Sequence, residues 1–310
     1  MEHIIFVNQG GIGKDIMATV PIRNLKKKFP DKKIVTVSGH PWVFQFNPNV
    51  ELSFQLGNTP NFYEIYKDSM WVRTEPYYHS DYISKTKHLT RCWCEQIDVD
   101  FDNSKPDLFL SPREKEAGLN YVRSKNAPIL LIQFQGGAAP QRDKDNNLLP
   151  PIKMFVRDVP LQIIKNVSVA LENRYKTIII GLPSQNSWTG VESLTGKHPR
   201  ELLSVILHAN KLLLIDSFIQ HAAAALNRQA VVCWGATSPD ILGYNTHINL
   251  RRKSCDTPEC HRPNSYLNDI DYQGKPWTCP TESCTFHSEE SILNALDGQS
   301  LKGIMDEGER

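Results

Sequence analysis

The sequence predicts an α/β protein whose two halves, each built on a parallel sheet, face one another across a cleft. Three observations carry this expectation. Ile4–Val7 is a short apolar run that enters the glycine turn Asn8-Gln9-Gly10-Gly11-Ile12-Gly13-Lys14-Asp15, then a helical stretch to about Phe29 and a second apolar run, Ile34–Val37. That strand, turn, helix, strand order is the signature of a parallel α/β sheet. The same plan restarts near the middle, where Ile129–Phe134 enters Gln135-Gly136-Gly137-Ala138-Ala139. The third observation is Leu212–Pro239: a buried strand, Asp216-Ser217 at its carboxyl end, an alanine-rich helix, another strand, and the turn Gly235-Ala236-Thr237-Ser238-Pro239. Two Rossmann-like domains explain the repeat.

Taken in order, the first domain covers 1–125. Pro30-Asp31 ends its first helix, Pro41–Asn47 forms a helix or turn, and a short strand follows Pro48-Asn49-Val50. Residues 62–91 are aromatic, polar and irregular, and could form a pocket wall or ordinary aromatic packing. Residues 98–112 read as loop and Arg113–Arg123 as helix, with 124–128 as linker. The second domain covers 126–287, with strands at Thr177–Ile180 and Leu212–Ile215, a helix at Arg200–Ala209, and a cysteine loop over 251–287. A last helix near Ile292–Leu296 is expected to cross back to the first domain before a polar tail; together these occupy 288–310.

At 310 residues the chain has room for two domains of ordinary size. A net charge of +1 gives no electrostatic reason to expect a nucleic-acid or membrane partner. Lys26–Lys28 with Lys32 and Lys33 reads as the solvated end of an amphipathic helix. The chain opens directly into a strand, and no run reaches the ~20 apolar residues of a membrane span. A cytoplasmic location is expected, and seven cysteines, an odd number, agree with a reducing compartment.

The first glycine turn invites two familiar phosphate motifs and satisfies neither. A P-loop needs glycine where Asn8 stands and Ser or Thr where Asp15 stands; the dinucleotide fingerprint needs a small residue where Ile16 stands. What remains is a carboxylate, Asp15, at a helix start beside a strand end, expected to point into the cleft. In the second domain, Ser217 can cap the helix that follows it, so that free N–H groups and the positive dipole end face the crevice. Ala222–Ala225 keep that helix slim. The result is a diphosphate seat made from backbone. Arg142, Lys144, Lys153 and Arg157 are the basic candidates near it.

These residues resemble the heptosyltransferase-like glycosyltransferases, the family of the ADP-heptose:lipopolysaccharide heptosyltransferases. That family carries Asp-Ser-Gly-x-x-His-x-Ala-Ala, a strand, and Gly-x-Thr-x-Pro; Asp216, Ser217, His221, Ala223, Ala224, Gly235, Thr237 and Pro239 match. Phe218 stands where the family has glycine, and Lys14 is an insertion before Asp15 in a turn that ordinarily ends Gly-Asp. The resemblance implies a GT-B fold and an inverting glycosyltransferase that moves a sugar from a nucleotide-diphosphate donor to a hydroxyl, with a saccharide as the expected acceptor. It implies Asp15 as general base, Gly10, Gly11, Gly13 and Lys14 as the acceptor-side turn, and no cofactor required for catalysis. It also implies donor binding by Asp216, Ser217, Phe218, His221, Gly136, Gly137 and Arg142, with Glu201 on the ribose hydroxyls. Two rival readings are glycosylation of modified DNA bases, resting on Lys26–Lys33, Lys85, Lys87 and Arg91, and a non-catalytic nucleotide-sugar binder.

Cys255-x4-Cys260 and Cys279-x4-Cys284 bracket a polar loop. Paired cysteines at both ends of an insertion can bring four thiolates to a structural zinc; reduced cysteines and disulfides are the other two readings. Cys92, Cys94 and Cys233 are expected to pack structurally.

Overall fold

The computed structural model describes residues 2–57, 59–136, 157–181, 188, 190–251 and 287–299. In the first half, strand β1 (His3–Val7) is followed by helix α1 (Ile12–Lys28), β2 (Lys33–Ser38), a 3-10 turn at Pro41–Phe44, and β3 (Leu52–Gln55). Then come α2 (Phe62–Tyr66), β4 (Met70–Val72), a 3-10 turn at Pro76–Tyr78, α3 (Ser80–Ile83), α4 (Leu89–Gln96) and α5 (Pro112–Arg123). The strands form a parallel sheet in the order β3-β2-β1-β4. Side chains alternate across it: Ile4 and Phe6 join the main core, while Ile5 and Val7 meet Val35, Val37, Phe62 and Tyr66 on the other face.

In the second half, β5 (Ile129–Ile132), α6 (Leu161–Leu171), β6 (Lys176–Ile179), β7 (Glu192–Ser193), α7 (Pro199–His208) and β8 (Lys211–Ile215) are followed by α8 (Phe218–Ala225), β9 (Val231–Cys233), α9 (Pro239–Leu242), β10 (Ile248–Leu250) and α10 (Glu289–Gly298). This sheet is also parallel, in the order β10-β9-β8-β5-β6-β7. Its central strands β5 and β8 are apolar runs buried on both faces, as such a sheet requires.

Each order reverses once. In the first sheet the chain winds outward from β1 through β2 to β3 and then returns to place β4 on the other side of β1. In the second it winds from β5 through β6 to β7, and β8 returns to the other side of β5. Ligands of open α/β sheets bind at such switch points, beyond the carboxyl ends of the strands. The turns that follow β1, β4 and β8, and the chain ahead of α6, are therefore the places to look.

The halves share one continuous hydrophobic cluster, running from Ile4 and Phe6 through α1 to Leu212, Leu214 and Trp234. Helix α1 is buried on nearly every side from Lys14 to Ile22, because it is packed on α4 in one half and α8 in the other. The second seam joins α5 to α7. A Cβ at Gly118 would lie 2.2 Å from the Ser204 carbonyl oxygen, so only glycine permits this approach. Buried Arg200 donates to Glu114 (2.8 Å), the Phe109 carbonyl (2.8 Å) and the Trp42 carbonyl (3.0 Å). The Arg200 hydrogen bond holds the Glu114 carboxyl down at about 2. Pairing of this kind satisfies a charge that would otherwise be costly to enclose.

Two features differ from the sequence expectations, and the cysteines and basic residues that follow them agree with or refine those expectations. Helix α10 does not return to the first half; it packs on α6 and the second sheet, where buried Lys211 donates to the Leu296 carbonyl at its carboxyl end (2.8 Å). Strand β4 and helices α2, α3 and α4 emerge from the stretch read as irregular or left unassigned, because each is short and its order comes from packing. Cys92 and Cys94 on α4 and Cys233 on β9 are buried free thiols, as structural packing requires. The basic residues at the end of α1 and the start of β2 are paired: Lys27 with Asp102 (2.6 Å), Lys28 with Asp98 (2.6 Å) and Lys33 with Glu2 (2.8 Å). The paired cysteines of the 251–287 loop lie outside the described residues. Among the described residues no helix is long and apolar enough to cross a membrane.

Replacing Gly118 with alanine should push α5 off α7 and destabilise the protein by about 1–3 kcal/mol in urea unfolding. An unchanged midpoint would show that the two helices do not meet this closely.

Candidate active site

A cavity of about 460 Å³ is lined by residues from both halves, and it lies where the switch points predict. From the second half come Asp216, Ser217, Phe218 and His221 after β8, Thr237 and Leu242 after β9, and Arg157 ahead of α6. From the first come Gln9, Gly10, Gly11, Gly13 and Lys14 after β1, with Glu75 and Tyr77 after β4. Its size suits a ligand-binding site.

The second-half wall is organised around the start of α8. Ser217 is extended and caps the helix, its Oγ accepting from the Ile219 N–H (3.2 Å) and donating to Gln133 Oε1. Asp216 is buried; its Oδ2 accepts from Thr237 Oγ1 (2.5 Å) and lies 3.8 Å from Arg157 Nε. That Nε is buried with no hydrogen-bond partner among the described residues, and a buried donor of this kind is costly unless something accepts from it. His221 meets the Tyr244 hydroxyl at Nδ1 (2.7 Å), and burial holds its imidazole well below the usual range, so it is neutral. Gly136 donates its N–H to Asp158 (2.8 Å), and burial pushes the Asp158 carboxyl up to about 6.

The first-half wall is the glycine turn. Gly10 has φ +153°, a conformation suited to glycine, and a Cβ there would strike Lys14 Cδ at 2.7 Å. Gly13 has a different reason: its Cβ would lie 3.1 Å from His221 Cδ2 and 3.5 Å from Phe218 Cα, because α8 presses on the start of α1. Lys14 reaches along the cavity to the Gln9 carbonyl (2.8 Å) and Glu75 (2.7 Å), with its ammonium 5.6 Å from the Tyr77 and Trp93 rings.

Asp15 sits one residue further on and turns inward. It is fully buried and is not among the lining residues. Its Oδ1 accepts from Asn8 Nδ2 (2.5 Å) and its Oδ2 pairs with His40 Nδ1 (2.8 Å). Burial raises its carboxyl above the usual range, against the opposing hydrogen bonds from His40 and Asn8.

Of the residues singled out from sequence, Gly10, Gly11, Gly13, Lys14, Asp216, Ser217, Phe218 and His221 meet at the cavity, as does the basic candidate Arg157. Glu201 does not: it is exposed in the first turn of α7, 3.6 Å from Lys197. Gly136 lies behind the wall, held by Asp158. Gly137, Arg142, Lys144, Lys153, Cys255, Cys260, Cys279 and Cys284 lie outside the described residues. Tyr77 and Tyr82, from the aromatic stretch, are wall residues. Sequence reasoning missed Glu75 and His40. Glu75 carries a legible signal, an acidic cap before Pro76; His40 follows the end of a parallel strand, where ligands of such sheets bind.

Among the described residues one group could hold a metal by its donor types: His79, Asp81 and Glu95. Lys87 already supplies the cation there, 2.7 Å from Asp81 and 2.9 Å from Glu95.

Asp158 gives a pH signature. As pH rises from about 4 to about 6 the unfolded carboxyl ionises while the buried one stays protonated, so folding loses stability, and the loss is complete above about 6. Asn at this position keeps an acceptor for Gly136 without ionising. The stability of wild type relative to Asp158→Asn should therefore fall across that window; a constant difference would show that the carboxyl is not buried.

No protein-family model matches the chain, and no curated protein matches it either. Solved structures do. A glycosyl transferase family 9 protein from Veillonella parvula DSM 2008 is 16% identical, covering 96% of this chain and 96% of that one with a TM-score of 0.65. The E. coli ADP-heptose lps heptosyltransferase II is 12% identical over 95% of this chain and 97% of that one, also at 0.65. The E. coli heptosyltransferase WaaC, solved with ADP, is 11% identical over 86% of this chain and 99% of that one, at 0.55. At such identities the shared property is the fold: this chain folds as the heptosyltransferase-like glycosyltransferases do.

Proposed function

We propose that the protein is an inverting glycosyltransferase of GT-B architecture that transfers a sugar from a nucleoside-diphosphate donor to a hydroxyl of a saccharide. The observation that carries this reading is the single cavity at which the switch points of both sheets converge. One wall offers a Ser217-capped helix start and a cation, Arg157; the other offers the glycine turn with the Asp15 centre behind it. The fold agrees with that assignment, since WaaC was solved with ADP. ADP is therefore the first nucleotide to try.

In this reading the diphosphate lies over the start of α8, where backbone dipoles favour negative charge. Arg157, in the cavity wall, supplies positive charge to the diphosphate. The acceptor oxygen attacks the anomeric carbon from the first-half side. The bond from that carbon to the phosphate oxygen breaks, and the diphosphate leaves with the electron pair. Charge grows on the leaving group as the bond breaks, so donors already aimed at it lower the barrier. The acceptor's proton goes to the centre built on Asp15. Phe218 places a ring beside the phosphates and narrows the room for the donor sugar. No cofactor enters, and the chemistry is that of a cytoplasmic enzyme supplied with activated sugars. DNA as acceptor loses its main support, since Lys27, Lys28 and Lys33 are already paired with carboxylates.

Thermal unfolding with ADP, UDP, GDP and CDP tests the donor side. One of them should raise the melting temperature, equivalent to about 2.7 kcal/mol at a hundredfold excess over Kd, and Arg157→Ala should remove most of the shift. No response to any diphosphate would refute the reading. Asp15→Asn should keep that shift while transfer falls by ~10²–10⁴-fold; undiminished transfer would remove Asp15 from the mechanism.

A further inference from the structure

We infer that His40 is the group that takes the acceptor's proton and that Asp15 is the positioning residue that holds it. This rests on the glycosyltransferase reading and assigns a catalytic side chain within it. Asp15 is 0% exposed and both its oxygens are engaged, one by Asn8 and one by His40. An acceptor hydroxyl could reach the carboxylate only by displacing one of these partners from a closed space. The His40 side chain is 28% exposed. Its Nδ1 faces Asp15, and its Nε2 has no hydrogen bond among the described residues.

Three separate elements build the arrangement. Asn8 follows β1 and is anchored by its N–H to the Val37 carbonyl (2.9 Å). Asp15 lies in the first turn of α1. His40 follows β2, its own N–H donating to Ser38 Oγ (3.1 Å), while Gln55 donates to the Gly39 carbonyl (3.1 Å). A Cβ on Gly39 would lie 3.6 Å from the carbonyl oxygen of Gly10, which lines the cavity. Gly39 thus packs on the cavity-lining turn, and the His40 ring beside it, not itself a lining residue, stands edge-on to Trp42, which in turn meets His198 of the second half.

A carboxylate that accepts from Nδ1–H fixes the tautomer that leaves the lone pair on Nε2, and it stabilises the imidazolium that forms. The step then balances. The acceptor O–H gives its proton to Nε2 as the oxygen bonds to the anomeric carbon. The carbon–oxygen bond to phosphate breaks with its electrons going to the diphosphate, and the imidazolium passes the proton to solvent.

Two measurements test this. The first is ADP release from ADP-heptose with water as acceptor. His40→Ala should be slowed by ~10²-fold or more, and added imidazole should restore at least about tenfold of that loss. Asp15→Asn should be slowed and not restored. A His40→Ala enzyme that keeps most of the wild-type rate, or one that imidazole fails to restore, would overturn the assignment. The second needs no turnover: 15N NMR of the histidine ring nitrogens in the ligand-free protein, with His40 assigned from the spectrum of His40→Gln. Neutral His40 should carry its proton on Nδ1; a proton on Nε2 would overturn the inference. If wild type releases no ADP, it is ADP-heptose as donor that fails, and the tautomer alone decides the role of His40.

Discussion

The approach of α8 to α1 is the constraint on which the rest of the structure depends. A Cβ on Gly13 would press on His221 Cδ2 at 3.1 Å and touch Phe218 Cα at 3.5 Å, so the helix starts meet closely there. The alanines of α8 let it lie flat against both its own sheet and α1. Through this contact the switch points of two sheets, otherwise independent anion and ligand sites, become walls of one cavity. The α5–α7 seam, fixed by Gly118 and the buried Arg200–Glu114 pair, holds the same alignment from behind. Two sheets joined at two seams have little freedom to slide, which keeps the Ser217 helix start facing the glycine turn.

The polar groups around the cavity follow from that geometry. Lys14 cannot point into the crowded contact, so it runs along the wall to Glu75 and lies against two aromatic rings. Asp15, next in sequence on a helix, is turned through about 100° and faces the interior. There it survives as a buried carboxyl because Asn8 donates to one oxygen and His40 Nδ1 pairs with the other. Lys14 thus fills the wall while the carboxylate next to it stays enclosed. Arg157 and Asp216 form the complementary element on the opposite side, a cation beside a carboxylate whose other contact is Thr237.

Much of this was legible in the chain. The glycine turns, the capped helix after β8 and the restart near residue 129 are local patterns, and local patterns survive without tertiary information. The inward turn of Asp15 was not legible, because it depends on His40, 25 residues away and on another element. Glu201, singled out by its place in a motif, is exposed in the first turn of α7 and lies outside the cavity lining. Strand β4 was hidden because three residues at the edge of an aromatic stretch carry no periodicity of their own. The crossing attributed to the last helix failed for a similar reason: where α10 docks is set by Lys211 and Gln299, which no spacing rule reveals.

A crystal structure of the protein grown with ADP addresses the central claim most directly. Both phosphates should lie within hydrogen-bonding distance of the first turn of α8 and of Arg157, with the open end of the diphosphate directed toward Gly10 and Lys14. A nucleotide bound elsewhere, or phosphates turned away from Ser217, would contradict the shared cavity as the seat of the reaction.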